Sequence, residues 1–357
     1  MTAQSTPPSS RPGRILSGMR PTGRLHLGNY VGALENWVRL QNEGWENLHM
    51  VADWHMLTTG YEDTSRLQAD SFDMVVDWLA AGIDPKRSVI FIQSEVKEHA
   101  ELHLLLSMLV SKSRLERIPT LKEQIRDLGM DEQTISYGHL GYSVLQAADI
   151  LLYRATHVPV GFDQVPHIEL TRELARRFNF VYCEGRDPVF PEPEAQLTAF
   201  GRLRGLDGER MSKSLGNTIL LTDEAAEVEA KVKKAYTDPK KARATDPGRP
   251  EADESDGHGG CVVWEYHRKF NPGEADDIAR RCRAGELACV PDKQHLTQVL
   301  NAALEPIRER RRAWLAEPDL VRDVIRDGNM RARAAAQQTM ELVRSSMRIN
   351  FEGALSR

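Results

Sequence analysis

The sequence predicts an α/β fold: a largely parallel sheet made of βα units, followed by an all-helical C-terminal half. Three observations predict it. From Arg14 to about Asp163, short apolar runs alternate with longer amphipathic stretches, the rhythm of strands joined by crossover helices. Beyond about Thr222 strand signals fade, and long charged amphipathic segments run onward, among them 296–314 and 330–347. Between the halves, 188–221 is rich first in proline and then in glycine (Gly201, Gly205, Gly208, Gly216), which reads as a mobile connection.

In chain order, residues 1–13 are rich in Ser, Thr and Pro and read as a disordered extension. They lack the apolar segment of a secretory signal, so a cytoplasmic protein is expected. Strands are expected at 14–17, 48–53, 89–93 and 157–160. Helical spacing at Tyr30, Leu34, Trp37 and Gln41 marks one amphipathic face, and Phe72, Val75, Val76 and Leu79 mark another. The second helix should stop near Gly82, with Pro85 just beyond. Residues 238–260 mix Pro, Gly, Asp and basic side chains and read as a loose bulge from the helical half. This divides the chain into 1–13, a catalytic domain over 14–200, a linker over 201–221 and a helical domain over 222–357.

Composition excludes several classes. With 357 residues, 41% apolar and 28% charged, the chain can bury a sizeable core and is too long for one small domain. Its longest apolar stretches, such as 102–110, fall short of the roughly 20 residues that span a bilayer. Four cysteines are too few for a disulfide framework and read as thiols or metal ligands. A net charge of -5 argues against coating nucleic acid by bulk electrostatics, so any RNA contact must be local. Basic clusters stand at Lys231, Lys233, Lys234, Lys240, Lys241 and Arg243, and at Arg308, Arg310, Arg311 and Arg312; each alone reads as a solvated helix face.

Chemistry concentrates in two places. The first strand runs into Ser17-Gly18-Met19-Arg20-Pro21-Thr22-Gly23-Arg24-Leu25-His26-Leu27-Gly28-Asn29 and then a helix. A glycine-rich strand-to-helix turn offers free backbone N–H groups and a helix dipole to phosphate, although glycines there are often only turn residues. The second is Gly208-Glu209-Arg210-Met211-Ser212-Lys213-Ser214, whose two cations and two hydroxyls could close over a polyphosphate. A solvated basic loop is the plainer reading of that segment by itself.

Taken together and in this order, the two segments resemble the H-I-G-H and K-M-S-K-S signatures of class I aminoacyl-tRNA synthetases. The form Pro21-Thr22-Gly23-x-x-His26-x-Gly28-Asn29 is similar to the tryptophan and tyrosine branch. The blocks Leu145-Gln146-Ala147-Ala148-Asp149-Ile150-Leu151-Leu152-Tyr153 and Val158-Pro159-Val160-Gly161-Phe162-Asp163-Gln164 resemble bacterial-type tryptophanyl-tRNA synthetases in particular. The resemblance implies a Rossmann-like, doubly wound sheet with a helical domain that binds the tRNA anticodon. It implies a ligase, EC 6.1.1.2, that joins L-tryptophan and ATP (with magnesium) into an adenylate and loads tRNA(Trp), working as a homodimer.

Carried over by position, the resemblance implies catalytic roles for Lys213, Arg210, Ser212 and His26. ATP contacts would fall on Arg20, Pro21, Thr22, Gly28, Asn29, Gly161, Phe162, Asp163, Leu203, Arg210, Met211, Ser212, Lys213 and Ser214. Tryptophan contacts would fall on Asp149, Tyr142, His55, Gln146 and Gln164, with Asp149 accepting the indole N–H. Indole has one donor, so a buried acceptor rewards tryptophan and is left unpaired by phenylalanine. The sequence departs from the family at Arg210 for lysine, Arg20 for glutamine, Gln146 for methionine and Phe162 for glutamate, which suggests a divergent branch with altered substrate tolerance. Some relatives carry an iron–sulfur cluster on four cysteines; here Cys261, Cys282 and Cys289 are present with Asp292 in the last position, and a degraded site is favoured over an occupied one. A tyrosyl enzyme and a non-catalytic tryptophan-sensing paralogue are the competing readings.

Overall fold

A computed structural model describes residues 12–119, 121–122, 135–197, 203–253, 255 and 259–351. Within them a single parallel sheet holds β1 (Arg14–Met19), β2 (Glu46–Val51), β3 (Ser88–Ile92), β4 (His157–Val160) and β5 (Glu194–Leu197), in the order β3-β2-β1-β4-β5. The helices used below are α1 (Glu35–Asn42), α2 (Asp53–Gly60), α3 (Leu67–Ala81), α4 (Glu98–Ser107), α5 (Tyr142–Leu152) and α6 (Val165–Tyr182). The C-terminal half adds α7 (Ala225–Lys233), α8 (Val262–Phe270), α9 (Ala275–Arg283), α10 (Cys289–Ala316) and α11 (Pro318–Ser346). None of these helices is long and apolar enough to cross a membrane.

Because the chain leaves β1 in opposite directions, a crevice opens beyond the carboxyl ends of β1 and β4, where open α/β sheets bind ligands. Helices cover both faces. On one, Leu16, Leu48, Met50 and Phe91 meet α4, α5 and α6; on the other, Val51 and Ile90 meet Trp37 of α1 and Trp78 of α3. The C-terminal helices join both cores. Leu296, Leu300, Leu304 and Ile307, spaced three and four apart along α10, enter the second, while Ala332, Ala336, Met340 and Val343 of α11 enter the first.

Three expectations need correction. The segment read as a connection contains β5, whose Glu-Ala-Gln-Leu sequence has low strand propensity and pairs only because β4 presents an open edge. Asp53, expected to close a strand, instead opens α2. Three of the four arginines of α10 do not lie on a solvated face: Arg311 pairs with Asp77 at 2.7 Å, Arg310 donates to Ala80 O, and buried Arg308 donates to Asn301 and Glu305, while Arg312 is exposed. The Arg310 and Arg311 contacts fasten α10 to α3, while those of Arg308 stay within α10. The helix stop is where expected, with Gly82 in the left-handed region (φ +115°) donating to Leu79 O. The N-terminal extension lies outside the described residues, apart from its last two.

Helix α11 closes the free edge of β3. Asn329 Oδ1 accepts from Ile92 N–H at 2.9 Å, and a Cβ placed on Gly328 would stand 1.7 Å from Ile90 O. Only glycine allows that approach. Gly328→Ala should lift α11 off the strand at a cost of about 3 kcal/mol. A thermal melt several degrees below wild type checks this; an unchanged melt would mean the helix does not lie on the edge.

Burial of His49 on β2 has a pH consequence. The ring is fully buried, stacks on Trp37 at 4.3 Å, and neither nitrogen has a partner among the described residues. Burial pushes its pKa down to about 3. The unfolded chain therefore binds a proton near pH 6.5 that the folded chain refuses until about pH 3. Stability from this residue is complete above the unfolded value and falls through that window, by about 2 kcal/mol at pH 5. His49→Phe should leave stability at pH 7 intact and reduce the acid loss by that amount, measured as the unfolding midpoint at pH 7 and pH 5; equal losses would refute it.

Candidate active site

The first signature is built at the end of β1. Gly18 lies so close to β2 that a Cβ would meet Met50 O at 2.7 Å, and Gly23 turns the chain with φ +91°. His26 then caps the helix turn at Leu27–Asn29: its Nδ1 accepts from Asn29 N–H, while Asn29 Oδ1 accepts from His26 N–H. Burial, with the nearby Lys213 charge, holds the imidazole down to about 4. The ring is neutral at pH 7. With Nδ1 accepting, its proton sits on Nε2 and is available to an anion.

The second signature folds onto the first. Leu27 N–H donates to Ile219 O and Leu221 N–H to Leu25 O, each at 2.9 Å, and Gly28 N–H points at Met211 Sδ at 3.2 Å. Gly28 allows this contact, because a Cβ there would lie 2.9 Å from His26 Nδ1 and 3.0 Å from Met211 Sδ. Lys213 Nζ donates to Thr22 O at 2.5 Å, Arg24 O at 3.1 Å and Thr22 Oγ1 at 3.4 Å. Two segments almost two hundred residues apart thus form one basic clasp. Burial lowers the Lys213 pKa, and the charges of Asp70 and Asp77 oppose that shift.

Asn217, which the motif reading passed over, shapes this loop. Its Oδ1 accepts from Ser212 N–H, while its Nδ2 donates to Asp207 and to Arg210 O. Gly205 makes room for it, since a Cβ there would fall 2.2 Å from Asn217 Nδ2. Ser212 and Ser214 hydroxyls lie 2.8 Å apart. Leu203 is buried in the second core beside Leu206 and Ile219.

A cleft of about 320 Å³ opens at the carboxyl ends of β1, β2 and β4. Seven sequence-predicted residues line it together: Arg20, His55, Tyr142, Gln146, Asp149, Gly161 and Gln164. Phe162, by contrast, is 81% exposed, and Asp163 accepts from Gln164 Nε2 at 3.0 Å. Tyr142 meets the His55 ring edge-on at 4.5 Å, and burial raises its pKa, so its phenol stays protonated.

Asp149 sits at the floor of the cleft, fully buried. Its Oδ2 bonds His55 Nε2 at 2.6 Å; its Oδ1 bonds His99 Nδ1 at 2.7 Å and Gln93 Nε2 at 2.8 Å. Burial alone would raise the carboxyl pKa, but the charges and hydrogen bonds of His55 and His99 override it and hold it near 2. The carboxylate is ionised and acts only as an acceptor. Gln93 and His99 carried no motif signal, although Gln93 follows directly on β3, at the strand end where such folds place ligand contacts.

These features coincide with a family. The model for class I tRNA synthetases of the W and Y type matches residues 8–305. The chain belongs to the class I tRNA synthetases for tryptophan and tyrosine. The synthetase is 51% identical over 340 residues to the tryptophan–tRNA ligase of Thermotoga maritima, covering 95% of this chain and 100% of that protein. With the tryptophan–tRNA ligase of Aquifex aeolicus the identity is 42%, over 94% of this chain and 100% of that one. Among solved structures, the tryptophanyl-tRNA synthetase of Campylobacter jejuni complexed with ADP and tryptophan superposes with a TM-score of 0.78 at 30% identity, covering 94% of this chain and 99% of that one. The activity of the synthetase is tryptophan–tRNA ligation, and its family uses ATP.

The cysteine set holds three of the four thiolates that an iron–sulfur cluster takes, with Asp292 in the fourth position. Cys261 caps the start of α8, and burial pushes its thiol up to about 11; burial also raises Cys282, against whose Sγ Gly248 packs so closely that a Cβ would come within 2.6 Å. Asp292, in the fourth position, faces His267 Nε2 at 3.3 Å. Among the described residues no three His, Cys, Asp or Glu side chains are arranged to hold a metal ion.

Proposed function

We propose that the basic clasp binds ATP and the cleft binds tryptophan, so that the amino-acid carboxylate is delivered to the α-phosphate. One carboxylate oxygen forms the new bond to the α-phosphorus, the bond from that phosphorus to the bridging oxygen breaks, and pyrophosphate leaves with its electron pair. A ribose hydroxyl at the tRNA end then attacks the adenylate carbonyl, forming the ester and releasing AMP. The reactants are anions, so the protein's main task is electrostatic. Lys213 leads it, with Arg210 and Ser212 supporting and the His26 Nε2–H aimed at the phosphates. Arg20, Pro21, Thr22, Gly28, Asn29, Met211 and Ser214 form the walls around the triphosphate, and Gly161, Phe162 and Asp163 take the nucleoside side. Magnesium arrives on the ATP phosphates, which supply its oxygen ligands.

The observation that carries this reading is the seating of Lys213 on Thr22 and Arg24, next to a cleft whose floor is the ionised Asp149. His55, Tyr142, Gln146 and Gln164 complete the tryptophan side. ATP–pyrophosphate exchange with each of the twenty amino acids tests it: exchange should require tryptophan, and exchange driven equally by tyrosine would reject the assignment of Asp149.

We further propose a cytoplasmic homodimer in which residues 222–357 bind the anticodon arm of tRNA. Exposed Leu104 and Met108, at the end of α4, support a contact between copies of the chain, being 55% and 66% accessible. Sedimentation should give twice the monomer mass for the wild type, and Leu104→Lys with Met108→Lys should lower it; a monomeric wild type would end the dimer proposal.

A further inference from the structure

Behind the cleft floor lies a second layer of side chains to which the motifs assign no role. Gln93, His99 and Tyr153 are all fully buried, and none of them lines the cleft. Gln93 and His99 bond Asp149 directly, and Tyr153 stands behind His99. His99 Nδ1 meets Asp149 Oδ1 at 2.7 Å, and its Nε2 meets the Tyr153 hydroxyl at 2.8 Å. Gln93 Nε2 donates to the same Oδ1, while its Oε1 accepts from Trp54 N–H at 3.1 Å, which fixes the amide's orientation.

Counting lone pairs gives the consequence. A carboxylate offers about four acceptor positions. Gln93 and His99 fill both on Oδ1, and His55 fills one on Oδ2. One position remains, on the oxygen shared with the cleft-lining His55. We propose that His99, backed by Tyr153 and aided by Gln93, is a positioning residue for tryptophan recognition: it fixes the Asp149 carboxylate so that a single lone pair on Oδ2 faces the indole N–H. The inference rests on the reading of Asp149 as the indole acceptor.

The chain of bonds also fixes the orientation of the His99 ring. Burial, and then the Asp149 charge, raise the Tyr153 pKa well above its ordinary value, so the phenol keeps its proton in the bond it shares with His99 Nε2. With the far nitrogen held by Tyr153, Nδ1–H is the donor that meets the carboxylate. Removing this donor frees the carboxylate to turn and loosens the one acceptor position the indole uses.

Stereochemistry supplies a paired test. Asparagine places an amide nitrogen near the Nδ1 position of histidine, and glutamine places one near Nε2. His99→Gln should raise KM for tryptophan roughly tenfold to a hundredfold, the range for a hydrogen bond to a charged group. KM for ATP should stay within about twofold, and His99→Asn should recover most of the loss. With the tryptophan analogue that carries sulfur in place of the indole N–H, His99→Gln and wild type should not differ. Tyr153→Phe, which keeps the ring, should raise KM for tryptophan roughly threefold to tenfold and decides the matter if His99→Gln does not fold.

An unmoved KM for tryptophan, or an equal loss with tryptophan and its sulfur analogue, overturns the proposal. Asp149→Asn separates the two levels. If it also leaves KM for tryptophan unmoved, Asp149 is not the indole acceptor; if it raises KM while His99→Gln and Tyr153→Phe do not, only the positioning role is lost.

Discussion

Lys213→Ala should lower tryptophan-dependent ATP–pyrophosphate exchange roughly 100- to 1000-fold while leaving the melting temperature unchanged within about two degrees. The separation follows from how the loop is held. Asn217 secures the backbone of Ser212 and Arg210, Met211 meets Gly28, and Leu27 and Leu221 exchange main-chain bonds with Ile219 and Leu25. None of these bonds involves the ammonium, so truncation spares the fold. What is lost is a flexible cation seated on the first signature, whose three donors now rest on Thr22 and Arg24 oxygens and can be exchanged for phosphate oxygens. The loss should fall on kcat, because charge on the departing pyrophosphate develops only in the transition state. Lys213→Arg should retain part of the rate, since it keeps charge but changes geometry. Exchange within tenfold of wild type for the alanine variant would remove Lys213 from the mechanism.

Asp149→Asn should reduce kcat/KM for tryptophan by at least about 100-fold and lower stability by about 2 kcal/mol. The substitution keeps size and shape, so the effect is one of donors and acceptors. Three N–H groups, from Gln93, His99 and His55, converge on the two carboxylate oxygens. An amide replaces one of those oxygens with a donor. If its NH2 faces Oδ1's partners, Gln93 and His99 lose their acceptor; if it faces His55, the acceptor position left for the indole disappears. Either orientation sacrifices the fold's hydrogen bonding or the substrate's. Parallel measurement of exchange kinetics and thermal unfolding shows which, and a variant with wild-type tryptophan kinetics would mean that the indole N–H is read elsewhere.

Much of the architecture was legible because it is written in short-range patterns. Strands 157–160 and 14–17 stand out as apolar runs, and the α3 stop is encoded by Gly82 and Pro85 within a few residues. The two signatures are contiguous strings, and the structure seats Lys213 of the second on Arg24 of the first. Strand β5 was not legible. Four residues of weak strand propensity pair only because β4 is already in place beside them. The arginines of α10 misled for a related reason: a basic run looks alike whether it faces water or, like Arg311, a buried aspartate 234 positions away.

The sequence by itself determined the α/β class, the helical C-terminal half and, through its resemblance, the family, because local periodicity and unbroken motifs need no knowledge of partners; that resemblance also named seven residues that the structure brings into one cleft. Tertiary structure alone decided how Asp149 is used. Gln93 and His99 reach it from the C-terminal side of β3 and from α4, with Tyr153 at the end of α5 held behind His99, and hydrogen-bond satisfaction at a buried charge depends on which atoms the fold brings within 3 Å, not on which residues are neighbours in the chain.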